Sequence, residues 1–317
     1  MSSAPRQLVA DIGATHARFA LASSGVLGEP VVLPTREFSR SADLIQAALS
    51  TLSTDRVDEA CFAVAGPVVA GVVEVTNGGL RFDAAEHGAM LEAPVSIVND
   101  FHALARAVPG LEWLEAIGGD PDRGGQRGVK AVLGPGSGLG MSVLVPLDSG
   151  GWQVLASEGG HADLAPGNPL EQELLTVLQA KHDGVCWETV LSGPGLVNLY
   201  EAVAALWGMT PEAFSPEDIS RRGVDADDPV CHQTLELFFA LLGSAAGNLA
   251  LTVCAHAGVY IGGGIVPGLV EFARSSPMRR RFDERVELQS LVADIPLFLI
   301  LDEHPGLMGA LACLGRI

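Results

Sequence analysis

The stretch Leu8-Val9-Ala10-Asp11-Ile12-Gly13-Ala14-Thr15-His16-Ala17-Arg18-Phe19-Ala20-Leu21-Ala22 decides the fold. Residues 8–12 read as a strand and 17–22 as a second, with a short polar turn between them. The theme returns at Lys130, where 130–133 reads as a strand, 134–138 as a glycine-rich turn and 139–145 as a returning strand. Two hairpins with glycine turns, each opening an α/β half, predict two related α/β domains facing one another across a cleft. Further strands are expected at 31–33, Glu59–Val64, 72–75, 95–98, Val259–Ile261 and 296–301. Helices fit at 41–52, with Ser41 as N-cap, at 101–107 and at 307–314, and helical patterns dominate 170–257. The Gly-, Asp- and Arg-rich segment 118–128 reads as a linker or loop. The junction falls near residue 110. A small domain over 1–110 is completed by about 302–317, and a large domain spans 111–301.

Composition fits that layout. Of 317 residues, 48% are hydrophobic and 18% charged, which supplies ample core for two domains. Acidic residues outnumber basic ones by 38 to 19, a net charge of −19, so a basic face for nucleic acid is not expected. The basic run Arg279-Arg280-Arg281 lies close to Asp283 and Glu284 and reads as a solvated helix face. Five scattered cysteines without a CxxC pair argue against a disulfide framework and a zinc site. Residues 1–7 are short, polar and lead straight into a strand, which does not describe a signal peptide, so a cytoplasmic protein is expected. The apolar segment 235–253 carries the Gly243 and Gly247 spacing of packed membrane helices. Glu236, Ser244 and Asn248 interrupt it and no Lys or Arg flanks it closely. It is expected to be a helix buried inside the large domain, not a membrane span.

Five motifs carry candidate chemistry. In Asp11–Arg18, Gly13 suits a turn that side chains would block, and Thr15 sets a hydroxyl beside exposed backbone amides. Asp11, at a strand end, is placed to hold a water bound to Mg²⁺. Glycines 134, 136, 138 and 140 recur with period two, which on an extended chain leaves one face bare for a ligand. No Gly-Lys-Ser/Thr follows, so the run is not a Walker loop. Gly262-Gly263-Gly264 follows an apolar strand and suits a flat purine or ribose. Asp100, in Asn99-Asp100, ends another strand and serves as a cleft carboxylate, as a helix N-cap, or as both. Glu158-Gly159-Gly160-His161, with Asp163 and Glu188, suits a polyhydroxylated ligand, since carboxylates accept strongly from hydroxyls. Each also has a plain reading: a hairpin turn, a packing bulge, a strand–helix turn, a cap, a surface ion pair.

Together these motifs resemble the bacterial glucokinase family, a hexokinase-like group in the sugar kinase, Hsp70 and actin superfamily. The matching stretches are Asp11–Arg18, Ala65-Gly66-Pro67, Thr76-Asn77, Ile97–Phe101, Gly134–Gly140, Glu158–Asp163, Glu188–Gly195, Ile261–Pro267 and His304–Leu307, in the family's order along nearly the whole chain. The resemblance implies an actin-like ATPase fold of two ribonuclease-H-like domains and the transfer of the ATP γ-phosphate to glucose, with Mg²⁺. It implies Asp100 as general base for the sugar 6-hydroxyl, with Asn99, Glu158, His161 and Glu188 as sugar ligands. Gly13, Thr15, Gly136, Ser137 and Gly138 would wrap the phosphates, and Gly262, Gly263 and Gly264 would line the adenosine pocket. His16 and Ala14 depart from the commonest pattern, where Asn and Gly are frequent. The cysteine-rich zinc motif of ROK-type kinases is not present, which points to the non-zinc branch.

Two other classes remain on the same fold: a sugar-responsive regulator without catalysis, and a sugar-independent ATPase. The first strand begins at Leu8, which leaves no room ahead of it for a DNA-binding helix-turn-helix. Glucose, mannose, fructose and glucosamine all fit the motif chemistry, as do ADP and polyphosphate as donors, and the sequence is compatible with a homodimer.

Overall fold

A computed structural model describes residues 5–76 and 78–315. Asn77, of the Thr76-Asn77 motif, lies outside the described residues, as do the chain's first four and last two. The strands are β1 (Gln7–Ile12), β2 (His16–Ser23), β3 (Val26–Leu27), β4 (Val31–Pro34), β5 (Glu59–Val64), β6 (Val72–Glu74), β7 (Arg81–Asp83), β8 (Val95–Asn99), β9 (Leu114–Ala116), β10 (Lys130–Pro135), β11 (Leu139–Pro146), β12 (Trp152–Ser157), β13 (Val259–Ile261) and β14 (Leu297–Ile300). The chain divides into two compact units. Unit 1 holds Met1–Glu112, Leu147–Ala156 and Asp302–Ile317; unit 2 holds Trp113–Pro146 and Ser157–Leu301.

In unit 1 the sheet order is β3-β2-β1-β5-β8, with β4 also paired to β2. β1 runs antiparallel to β2 and parallel to β5, which is parallel to β8. The central strands are apolar on both faces, as parallel strands covered on both sides are. Strand alternation sends Leu8, Ala10, Ile12, Phe62 and Val64 into one core, packed with Leu44 and Ile45 of the helix Ser41–Thr51. The opposite face carries Val9, Cys61 and Ala63, covered by Ala103, Leu307 and Ala310. Those last residues belong to the helices Asp100–Ala107 and Pro305–Leu314, so the end of the chain packs over β1 and β5.

Unit 2 repeats the scheme. β10 and β11 form an antiparallel hairpin, β10 and β13 are parallel, β13 and β14 are parallel, and β9 closes the row antiparallel to β14. The helix Pro229–Val253 is capped by Asp228, whose carboxylate accepts from the N–H groups of Val230 and Cys231. By length and composition it could cross a membrane, yet two thirds of its apolar window (67%) is buried inside the protein. Its small residues serve packing: a side chain at Gly243 would strike the Met278 backbone, and one at Gly247 the Arg285 guanidinium.

Three local expectations need correction. Ser41 does not cap its helix: Arg40 holds that position, and the Ser41 hydroxyl donates to the Arg81 carbonyl and meets His87. Asp100 is not the cap of its helix either, because Asn99 is. The run Arg279–Arg281 is not one solvated face. Arg281 is buried against Glu171, reaching both carboxylate oxygens at 3.0 and 2.9 Å, and Arg279 pairs with Asp283 at 2.7 Å and donates to the Ile295 and Ala293 carbonyls. Only Arg280 is solvated, because its neighbours on either side turn inward onto carboxylates and helix-end carbonyls.

Candidate active site

In unit 1, β1 delivers Asp11 one residue before the strand ends. Alternation points Asp11 to the same face as Val9, the face covered by the helix Pro305–Leu314. That helix begins tightly against it: a Cβ on Gly306 would stand 2.6 Å from the Asp11 carboxyl carbon. Arg18, its cross-strand partner on β2, brings a guanidinium nitrogen to 3.9 Å. Burial pushes the Asp11 pKa above the usual carboxylate range, and the charges of Arg18 and His304 pull it back.

β8 delivers Asn99 and Asp100. Asn99 Oδ1 accepts from the N–H groups of Phe101 and His102 at 2.9 and 3.1 Å, which caps the helix. Its Nδ2 donates to the Gly66 carbonyl and to Asp100 Oδ1. Both polar atoms of the Asn99 side chain thus have partners within unit 1. Asp100 is half-buried. Burial first, and the negative charge of Asp11 second, push its pKa to about 7, against the donating N–H of Phe101 and amide of Asn99. A carboxylate whose cost of ionisation is raised by burial and by a neighbouring carboxylate marks a place where a proton or a cation is wanted.

The Gly13–Thr15 turn is pinned from the side by Thr35, which donates its hydroxyl to the Gly13 carbonyl and its N–H to the Thr15 carbonyl, both at 3.0 Å. Thr15 is exposed. The turn does not itself demand glycine: a Cβ at Gly13 would meet only the His16 carbonyl oxygen, at an ordinary 3.5 Å. The expectation that side chains would block this turn is therefore corrected.

In unit 2 the glycine run is not one extended bare face. Gly134 and Gly140 are cross-strand partners, and the chain reverses through Gly136–Gly138, where the Gly136 N–H donates to the Gly138 carbonyl at 2.8 Å. The hairpin bends where the period-two reading needed a straight chain. What the run does provide is a close seat for Glu188. Its Oε2 accepts from the Leu139 N–H at 2.8 Å, and a Cβ at Gly138 would collide with that carboxylate. Ser137 stands exposed at the tip. His161 Nε2 lies 4.0 Å from Glu188 Oε1, so the turn, Glu188 and His161 come together. The Asp163–Cys186 bridge and the Trp187 N–H bond to the Ala162 carbonyl hold the two loops side by side. Glu158 and His161 are both exposed, flanking the packed Gly159-Gly160.

The third glycine group closes against the second. Gly263 has φ +87°, a left-handed conformation, and its α-carbon presses on the Pro135 carbonyl so closely that no side chain fits. Gly262 donates its N–H to the Leu133 carbonyl at 2.9 Å. Gly264 faces open space and lines a cavity of about 430 Å³ with Leu196, Pro216, Ser220, Arg221 and Ile265. The helices Gly193–Leu206 and Pro216–Val224 supply those walls, and the Gly193 N–H donates to the Gly136 carbonyl. Sequence reasoning missed the second of these helices as a cavity wall. Its signal was present in Ser215-Pro216-Glu217-Asp218, a capping box with proline at the first helical position. Gly306 and His304 beside Asp11 were likewise not assigned a task.

Comparison with known proteins shows which family the whole chain resembles. The glucokinase family model matches residues 8–317. A glucokinase of Paramagnetospirillum magneticum is 43% identical over 307 residues, covering 95% of this chain and 95% of that one. The crystal structure of a glucokinase from an Antarctic psychrotroph superposes with a TM-score of 0.84 at 36% identity, covering 98% of both chains. At 21% identity, a ROK family glucokinase from Streptomyces griseus, solved in complex with glucose and AMPPNP, shares the fold with a TM-score of 0.70, over 98% of this chain and 99% of that one.

Proposed function

The chain belongs to the glucokinase family, with an actin-like ATPase fold, and on that premise we propose how its residues divide the phosphorylation of glucose by ATP. Asp100 is the general base. It takes the proton of the sugar 6-hydroxyl as that oxygen bonds to the γ-phosphorus and the bond to the β-phosphate oxygen breaks, leaving ADP and glucose 6-phosphate. The observation that carries this reading is the Asp100 pKa of about 7, held there by burial and by Asp11. A base of that strength takes a proton readily at neutral pH, where about half of it is ionised in the resting enzyme.

Glu158, His161 and Glu188 bind the sugar hydroxyls. Glu188 is oriented by the Leu139 N–H, and His161 is within reach of Glu188. Asn99 positions Asp100 through its amide as well as facing sugar. Gly13, Thr15, Gly136, Ser137 and Gly138 line the phosphates; the Gly13 and Gly136 N–H groups are bonded within their own turns, so the amides of Thr15, Ser137 and Gly138 take the task a Walker lysine has elsewhere. Gly262, Gly263 and Gly264 back the adenosine, for which the 430 Å³ cavity beside Gly264 has room.

Mg²⁺ fits the acidic pair. Asp11 and Asp100 offer oxygen donors whose mutual repulsion a divalent cation would relieve. Asp11 would hold the ion through a water, and the ion would neutralise charge on the phosphates. A cytoplasmic location, without nucleic-acid or membrane partners, belongs to this reading and is supported by the net charge of −19 and by the burial of the one long apolar helix among the described residues.

ATP turnover with and without glucose tests the assignment. Strong stimulation by glucose is expected; sugar-independent hydrolysis would indicate the ATPase, and no turnover the regulator. In Asp100→Asn, kcat should fall by roughly 10²–10⁴-fold, the worth of a positioned base. A near-native kcat would remove Asp100 from the chemistry.

A further inference from the structure

His161 is an exposed ring, and two groups of unit 2 bracket its two nitrogens. Nδ1 lies 4.0 Å from the Cys186 sulfur, and Nε2 lies 4.0 Å from Glu188 Oε1. Cys186 has had no task so far, yet its place is well defined. It is half-buried, and the chain on either side of it is tied to the His161 loop. The Leu164 N–H donates to the Val185 carbonyl and the Trp187 N–H to the Ala162 carbonyl, both at 3.0 Å. The Cys186 N–H donates to Thr189 Oγ1 at 3.1 Å, and the same hydroxyl oxygen lies 3.4 Å from the Cys186 sulfur. Thr189 ends the turn Trp187–Thr189, which also carries Glu188. A run of polar contacts therefore joins the Cys186 amide, the Thr189 hydroxyl, the Cys186 thiol, the His161 ring and the Glu188 carboxylate.

The two ends of that run set the direction of each proton within it. A backbone N–H only donates, so Thr189 Oγ1 accepts from Cys186 and its own hydrogen is left to turn to the sulfur. The sulfur, once it accepts there, points its S–H at His161 Nδ1. At the far end a carboxylate oxygen only accepts, so the ring proton belongs on Nε2, facing Glu188. Both ends ask for the same tautomer. We propose that Cys186 is a positioning residue for sugar binding, whose thiol keeps His161 protonated on Nε2 and turned so that Nε2 donates to a hexose hydroxyl oxygen beside Glu188. The role depends on His161 being a sugar ligand, as proposed above. With the proton on Nδ1 instead, Nε2 would set a lone pair against the Glu188 carboxylate and could only accept from the sugar. A thiol is a weak donor and 4.0 Å is a long contact, so Cys186 selects a tautomer and a rotamer more than it stabilises the fold.

Steady-state kinetics and ring-nitrogen NMR on the full chain test this. Cys186→Ala should raise the KM for glucose roughly 3- to 10-fold, the scale of one lost hydrogen bond. Its kcat and its KM for ATP should stay within about 2-fold of the parent, as for a loss of ground-state binding alone. Cys186→Ser keeps a hydrogen-bond donor at that place and should recover most of the loss. In a His161→Ala background, Cys186→Ala should move the glucose KM by less than about 2-fold, because the ring it positions is gone. In protein labelled with nitrogen-15 histidine, the His161 signals are identified by their loss in His161→Ala. They should show Nε2 protonated and Nδ1 bare in the parent, and a mixture of tautomers in Cys186→Ala. Three results would overturn the proposal: a glucose KM unmoved by Cys186→Ala, a full further rise on top of His161→Ala, or a parent ring protonated on Nδ1. If His161→Ala alone leaves the glucose KM unmoved, the sugar-site reading falls and the proposal with it. If His161→Ala raises that KM and Cys186→Ala does not, His161 stays a ligand and only the role of Cys186 falls. Should Cys186→Ala fail to fold, the tautomer in the unaltered chain decides alone.

Discussion

Asp100→Asn should stabilise the protein while it destroys turnover, and the size of the gain should depend on pH. Folding lifts the Asp100 pKa from 3.8 to about 7, chiefly by burial. Each unit is about 1.4 kcal/mol of preference for the neutral form, so the folded state bears at most about 4 kcal/mol for keeping this carboxylate ionised. Asp100 retains some water, so about 1–2 kcal/mol is the expected share. The sign follows from linkage: a carboxylate whose folded pKa is raised adds stability below about pH 4, and loses it as pH climbs through about 7. Asparagine keeps the Oδ1 acceptor for the Phe101 N–H and carries no charge at any pH. Urea unfolding at pH 8, without nucleotide or Mg²⁺, should therefore favour the variant by about 1–2 kcal/mol. At pH 5 the gain should be smaller, because part of the penalty has not yet developed there. A stability change of the same size at both pH values, or a loss at pH 8, would refute the argument that burial of this charge sets its pKa.

Glu158→Ala should raise the KM for glucose at least several-fold with a smaller effect on the KM for ATP, since it removes an exposed acceptor for hydroxyls; unchanged sugar KM in a coupled assay would take Glu158 out of the sugar site. Gly264→Ala meets no atom within 4 Å, so its melting temperature should stay within about 1 °C of the parent while the KM for ATP rises. An unchanged nucleotide KM would place adenosine elsewhere. Gly306→Ala forces a methyl to 2.6 Å from the Asp11 carboxyl carbon, so either the helix start or Asp11 must move; kcat should fall about 10- to 100-fold, and a fall in melting temperature alone would show that Asp11 has no part in the chemistry. Arg281→Met strands the buried Glu171 carboxylate and should cost about 3–5 kcal/mol in urea unfolding, with partial recovery when Glu171→Gln is added.

What was legible in the sequence was what a short window can carry. The β1–β2 hairpin announces itself through two apolar runs around a polar turn, and Glu59–Val64 and Val259–Ile261 appear to the residue because buried parallel strands are unbroken apolar blocks bounded by turns. Leu114–Ala116 and Trp152–Ser157 did not, being short or largely exposed, so that their pairing and not their composition makes them strands. The helix Ala84–Leu91 hid for a similar reason: only His87 of its eight residues is buried, and its start is marked by Asp83 alone. The site divides in the same way. Asn99-Asp100, the glycine turn and Glu158–His161 are local motifs whose residue types already advertise chemistry. Their electrostatic setting is not local.

Asp11 owes its confinement to Gly306 and Glu171 its neutralising partner to Arg281, both contacts between distant parts of the chain that no short window spans. One clue was available. Gly306 and Gly309 stand three residues apart in the closing helix and so share a face, and a side chain on either would strike the Asp11 carboxyl group or the Ala103 backbone. A helix that exposes two glycines on one face is built to lie directly on something. Here it lies on the strand that carries Asp11 and the helix that starts at Asp100, so the confinement of Asp11 depends on the last helix of the chain. The opening motif names Asp11, and the start of the closing helix, with His304, sets how readily it ionises.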